Sequence, residues 1–276
     1  MSSLSVVCIL FTFFVSLILP LAFLVYYALR HKKQGIWSAW LVGALGFFVP
    51  QILIRFPILT ALSRMEGFIT FAQTHPWIYS LSLAFTAGLF EVVGRYAAAR
   101  CLKKNLTYRR ALAAGLGHGG IEAMIITGLA YVSNLVFLVM LQTGSLDAQI
   151  AQAADPTALL TSRDTIMNTS WILFFLAGFE RLLAMTCHAA MSMLVCYGVR
   201  RGKAVPTIFA LAMHVGMDSV AGISLMIGNG LTQAAAYTII YILLMAFTVL
   251  AILILKNIRA SWAAEEAQEV PYDSQA

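Results

Sequence analysis

Apolar residues run along this chain in seven stretches at about 5–29, 36–62, 77–100, 110–142, 167–199, 204–227 and 234–255. A helix needs about 20 apolar residues to cross the roughly 30 Å hydrocarbon core of a bilayer, and each stretch is long enough. The fourth and fifth exceed that length, so they tilt or extend beyond the membrane. The pattern predicts an all-α polytopic membrane protein: a single transmembrane helical domain over 1–259, followed by a polar tail at 260–276. The end of that tail, WAAEEAQEVPYDSQA, has the polar, acidic composition of a disordered segment. No basic residue precedes the first stretch, which is also too long for a signal-peptide core, so it reads as a retained first span.

The polar connections between the stretches alternate in charge. RHKK (30–33), RCLKKNLTYRR (100–110), RRGK (200–203) and KNIR (256–259) form one set, while the other holds only Arg64 and Arg163 as cations. Basic loops stay in the cytoplasm, which places the N-terminus outside and the C-terminus in the cytoplasm of a multi-pass protein of the cell membrane. Seven spans satisfy this, whereas six or eight would put basic loops on both sides. The longest connection, 143–166, is then external, and Thr161 with Asp164 reads as a capping box opening the fifth span.

Composition agrees. The chain is 61% hydrophobic and 11% charged, with mean hydropathy +0.84. A soluble domain carries about 25% charged residues. The net charge of +6 does not point to nucleic acid, because the cations sit in short clusters between apolar runs. Membrane lipids are the expected partners. The four cysteines (Cys8, Cys101, Cys187, Cys196) include no CxxC pair and read as small apolar fillers.

Against this background the charges inside the spans stand out: Arg55, Glu91, Arg95, Glu122, Glu180, Arg181 and Asp218, with His118, His188 and His214. A charge near the bilayer centre costs about 2.5–3.5 kcal/mol on insertion scales, so such residues are expected to pair inside the protein. At about 1.5 Å rise per residue from the basic end of each span, Glu91 lies roughly 14 Å deep, His118 about 12 Å, His188 about 17 Å and His214 about 15 Å. Four helices thus put a side chain suited to catalysis in one layer. Pairs four apart share a helical face: Glu91 with Arg95, His118 with Glu122, His188 with Ser192, His214 with Asp218. Arg181 lies seven residues before His188 on the same stripe. Gly115, Gly117, Gly119 and Gly120 surround His118, where small residues allow close helix approach. Pro50 and Pro57 predict a kinked or locally broken second span, in which Arg55 neutralises a buried carboxylate. Glu180 and Arg181 read as a structural ion pair.

Glu91 is the candidate general base, held ionised and oriented by Arg95. The chain has no HExxH, no GxSxG and no GxGD, which argues against a one-helix zinc site and against serine or aspartyl intramembrane chemistry.

FEVVGRY (90–96), GLGHGGIEA (115–123), FERLLAMTCHAAMS (179–192) and HVGMDS (214–219), with FFVPQILIRFPIL ahead of them, resemble the YhfC family of intramembrane metalloproteases over nearly the whole chain. That family is itself similar to the CAAX prenyl endopeptidase and bacteriocin-processing proteins, to the PrsW protease, and to the seven-helix scaffold subunit of gamma-secretase. The resemblance implies a glutamate-dependent peptidase acting on a membrane-associated or lipidated peptide. It implies that Glu91 and Arg95 match an ExxxR motif, His188 a lone histidine, and His214 with Asp218 an HxxxN-type motif. Two positions depart from those relatives: Phe90 stands where they have a first glutamate, and Asp218 where they have an asparagine. An ionised aspartate cannot donate to an oxyanion, so Asp218 is protonated, ligates a metal or holds the tautomer of His214. The expected chemistry has two versions. In one, His118, His188 and His214, with Glu122 as a further ligand, bind Zn²⁺. In the other the histidines polarise the scissile carbonyl without metal. The rival readings are a non-catalytic scaffold or substrate-binding subunit and a proton-coupled transporter; the chain lacks the inverted repeat that many transporters show.

Overall fold

The computed structural model describes residues 1–268. Seven of its helices are long and apolar enough to cross a membrane: Ser3–Arg30, Ile36–Leu62, Pro76–Asn105, Tyr108–Thr143, Trp171–Arg201, Val205–Met226 and Gln233–Glu265. They match the seven apolar stretches to within a few residues at nearly every end. The protein is thus an all-α, multi-pass membrane protein, and its described residues form no strand beyond an isolated Ile227–Leu231 bridge.

Two compact units divide the chain. The smaller comprises Met1–Phe23 and Glu122–Leu182. Its core joins Cys8, Ile9, Tyr131, Leu138, Ile166 and Phe174. Inside it the Thr12 hydroxyl donates to the Phe174 carbonyl at 2.6 Å, which satisfies a buried polar group that lipid could not. The 143–166 connection is not a loop throughout: helices cover Ser145–Gln152 and Thr157–Asn168. Thr161 therefore lies inside a helix, where its hydroxyl donates to the Thr157 carbonyl at 2.8 Å, and the expected capping box does not form. The helix starts earlier, at Thr157, whose N–H donates to Asp155 Oδ1 at 3.0 Å. Hydrogen bonds from the Thr157 hydroxyl and then from its N–H hold the Asp155 carboxyl below its ordinary pKa.

The larger unit comprises Leu24–Ile121 and Leu183–Ala276. Its helices approach through glycines. A Cβ on Gly94 would lie 1.8 Å from the Gly46 carbonyl oxygen, one on Gly43 1.9 Å from that of Ala114, and one on Gly117 2.0 Å from that of Trp40. The second span is therefore held against both the third and the fourth at backbone distance. Pro50 has no N–H for the Gly46 carbonyl one turn back. The second span responds by widening into a π-helical stretch at Phe48–Arg55 rather than breaking, and Gly94 packs against the carbonyl so released.

The last helix runs to Gln268, past residue 260, where the polar tail was expected to start. Trp262 explains the extension. It is fully buried, meets Tyr108 and Tyr197 at 6.0 Å each, and lies under the Arg200 guanidinium at 5.2 Å. The remainder of that tail, 269–276, lies outside the described residues. All four cysteines are free thiols.

Candidate active site

The site lies in the larger unit and is built around one carboxylate. Glu91, in the third span, is 3% exposed, and Arg95, His118, His188 and His214 are equally hidden at 1–3%. An unpaired carboxylate at that depth is unaffordable, so both of its oxygens are engaged. Oε1 accepts from Gln51 Nε2 at 2.6 Å. Oε2 accepts from Arg95 at 3.0 Å, one turn along the same helix, and faces His118 Nε2 at 3.0 Å. The Nδ1 atoms of His188 and His214 each lie 3.6 Å from the same Oε2. Five helical spans thus converge on Glu91: the second through Gln51, the fourth through His118, the fifth through His188 and the sixth through His214, with Glu91 and Arg95 on the third.

Hydrogen bonding fixes the proton positions. A guanidinium only donates. The Arg95 guanidinium contacts His188 Nδ1, and lies 3.4 Å from His214 Nδ1. Both Nδ1 atoms therefore accept, and both rings carry their proton on Nε2. For His214 that N–H points at Asp218 Oδ2, 3.2 Å away. His118 donates from Nε2 to Glu91, and its Nδ1 is buried without a hydrogen-bond partner. A cavity of about 10 Å³ lies there, lined by Arg95, His118 and Ser192 among others. It has room for one water.

Small residues make the convergence possible. A Cβ on Gly119 would lie 2.9 Å from that of His188, and one on Gly88 3.3 Å from the His214 ring. His118 and His188 stack at 5.6 Å, His188 meets His214 edge-on at 5.4 Å, and Phe47 closes on His118 at 5.6 Å.

Every candidate on the third to sixth spans of this unit, Glu91, Arg95, His118, His188, His214 and Asp218, falls in one connected network. One expectation is corrected. Arg55 pairs with no carboxylate directly; it donates to Gln51 Oε1 at 3.3 Å and to the Leu83 carbonyl at 2.8 Å, reaching Glu91 only through Gln51. Gln51 itself is the member of this network that charge-based reading missed, and its signal was a lone amide in an apolar span. Arg181 belongs to the smaller unit. There it pairs with Glu180 and donates to Glu122 Oε1 at 3.3 Å. Phe90 lines an apolar groove of about 650 Å³ between the second and third spans, so a second glutamate at that position would face hydrocarbon.

The residues fit a metal by donor type. Ligand atoms of Glu91, His118 and His188 all lie within 4.8 Å of one another. Zinc–nitrogen and zinc–oxygen bonds of about 2.0–2.2 Å would need only a modest contraction of that set. His214 is outside it. The Arg95 guanidinium occupies part of the same space, since it holds both Glu91 Oε2 and His188 Nδ1.

Comparison with known proteins agrees with this picture. No solved structure matches the chain. The membrane protein YhfC of Bacillus subtilis (strain 168) is 28% identical over 237 residues, covering 85% of this chain and 90% of its own. The family model described as YhfC intramembrane metalloprotease matches residues 15–242, a stretch holding every residue of the Glu91 network. The chain belongs to the YhfC intramembrane metalloprotease family.

Proposed function

We propose that this chain hydrolyses a peptide bond in a membrane-associated substrate, with Glu91 as the general base. The observation that carries the reading is a buried carboxylate collecting three imidazoles from three other spans within 3.0–3.6 Å. Structural ion pairs satisfy one charge with one partner; three neutral imidazoles beside a carboxylate–guanidinium pair form an acid–base and ligand set. Glu91 takes a proton from the attacking water, and Gln51 and Arg95 hold its two oxygens in place. Arg95 keeps Glu91 ionised until the substrate arrives. The neutral imidazoles face the point where negative charge develops on the carbonyl oxygen. The apolar groove beside Phe90 and Gly94 would receive the hydrocarbon-like part of the substrate.

A zinc ion, when bound, would be held by His118 and His188 with the Glu91 carboxylate, and would supply Lewis acidity to a water and to the carbonyl. Two cations on one carboxylate oxygen repel, so loading requires the Arg95 guanidinium to turn off Glu91 and His188. That placement of Arg95 favours a second reading, in which the histidines act without metal and Arg95 stays. Metal analysis of purified protein separates the two: about one zinc per chain with chelator-sensitive hydrolysis supports the first, and zinc-free active protein supports the second. The peptidase reading as a whole is tested by comparing membrane proteomes of cells with and without this protein. Unprocessed precursors should accumulate in its absence, and indistinguishable proteomes would remove the peptidase reading.

Asp218 is proposed to orient His214 through the 3.2 Å Nε2 contact rather than to bind an oxyanion. An Asp218→Asn variant keeps the acceptor but loosens the tautomer, and turnover should fall roughly 10–100-fold, the usual cost of losing such an outer partner. A rise in turnover would instead identify the position as an oxyanion donor, which asparagine fills better. The readout is the rate of precursor cleavage in membranes, with equal protein levels.

A further inference from the structure

A second concave site lies in the larger unit, at the end of the spans that carries the basic connections. It is a cavity of about 680 Å³ formed between the end of the first span, Gln34 in the connection after it, the start of the fourth span and the last helix. Tyr27, His31, Thr107, Tyr108, Arg109 and Arg259 contribute its polar lining, and among the described residues no carboxylate lines it. The nearest described acid on the last helix, Glu265, is already taken by Arg200 at 3.4 Å and by Arg201. Among the described residues, neither Arg109 nor Arg259 makes an ion pair. Two guanidinium groups brought to one cavity with no counter-charge among the described residues repel each other, and an anion between them would relieve that repulsion.

We propose that this cavity binds the phosphate of an anionic phospholipid headgroup, a role separate from the Glu91 site. Arg109 and Arg259 approach from different helices and can each present a fork of N–H donors to phosphate oxygens. The Tyr27, Tyr108 and Thr107 hydroxyls add neutral donors. His31, below its ordinary pKa through burial and then through the charges of Arg109 and Arg30, adds an N–H without a further positive charge. A lipid is favoured over a free phosphate by what surrounds the cavity. Its walls are the last turns of apolar spans, and Tyr26 and Leu29, in the same helical turns as Tyr27 and His31, are 65% and 58% exposed. Acyl chains would lie along that surface while the headgroup enters the cavity, as basic pockets between transmembrane helices allow. Tyrosines at this level also match the aromatic belt of the membrane interface.

The test is native mass spectrometry of the full chain in a neutral detergent, titrated with phosphatidylglycerol, phosphatidylcholine or inorganic phosphate. Wild-type protein should retain phosphatidylglycerol in preference to phosphatidylcholine. The Arg109→Gln/Arg259→Gln variant should bind phosphatidylglycerol at least about ten-fold more weakly, since each charge-assisted contact contributes at least that factor. Lys32→Gln/Lys33→Gln, which removes two cations outside the cavity, should leave binding unchanged. Equal retention of the two lipids overturns the proposal. So does equal weakening by the lysine variant, which would mean general charge attraction. Inorganic phosphate binding as tightly as phosphatidylglycerol would overturn the lipid assignment.

Discussion

Glu91→Gln is expected to lower peptide hydrolysis by about 10²–10⁴-fold, the range that loss of a general base spans. The substitution preserves shape but cannot accept a proton. It also turns one acceptor into a donor, although Gln51, Arg95 and His118 all approach this side chain as donors. Arg95 would lose its carboxylate partner within the buried site. Breaking a buried pair from one side costs about 3–5 kcal/mol, so the single variant should also melt earlier. The double variant Glu91→Gln/Arg95→Gln removes both charges, and most of that stability should return while hydrolysis stays absent. Thermal denaturation in detergent and precursor cleavage in membranes, measured on both variants, separate the two effects. Near-normal cleavage by Glu91→Gln would take this residue out of the chemistry and favour a non-catalytic scaffold.

Gly94→Ala should be among the most damaging single-methyl additions in the protein. The new Cβ would sit 1.8 Å from the Gly46 carbonyl oxygen and 2.8 Å from the Pro50 ring. The first is backbone and the second a ring closed onto its own backbone, so neither can rotate away as a long side chain could. Overpacking of this kind costs about 1–3 kcal/mol and sometimes more, and a clash with backbone belongs at the upper end. The second span would have to move off the third, carrying Gln51 away from Glu91, so activity should fall with stability. Gly67→Ala is the matched control. Nothing lies within 4 Å of the added methyl, and alanine is the better helix former, so the melting temperature should hold or rise slightly. Equal melting temperatures for Gly94→Ala and wild type would show that the two spans are not in contact at this point.

The membrane architecture was legible because lipid leaves few options. A segment of about 20 apolar residues must satisfy its own backbone, so apolar length translates directly into helix. The layer of Glu91, His118, His188 and His214 was legible for a related reason: buried ionisable groups are costly, and matching depths on separate helices point to a shared site. The roles of Gln51, Trp262 and Thr161 were not legible. Gln51 has no charge to set it apart in its span, and only the approach of the third helix gives its amide a carboxylate. Trp262 sits among acidic and small residues that read as a tail until Tyr108, Tyr197 and Arg200 are seen around it. Thr161 carried a plausible cap pattern, but the helix began earlier, at Thr157.

Alone, the sequence determined the solvent, the number of spans and the depth of the acid and imidazole groups, because those follow from hydrophobicity and helical rise along one chain. Tertiary structure decided which groups touch. It gave Glu91 to His118, placed Asp218 behind His214, seated Arg95 where a metal would compete with it, and left Arg109 and Arg259 facing one cavity. Contacts of this kind depend on close approaches between distant glycines and carbonyls, and no local pattern of residues encodes them.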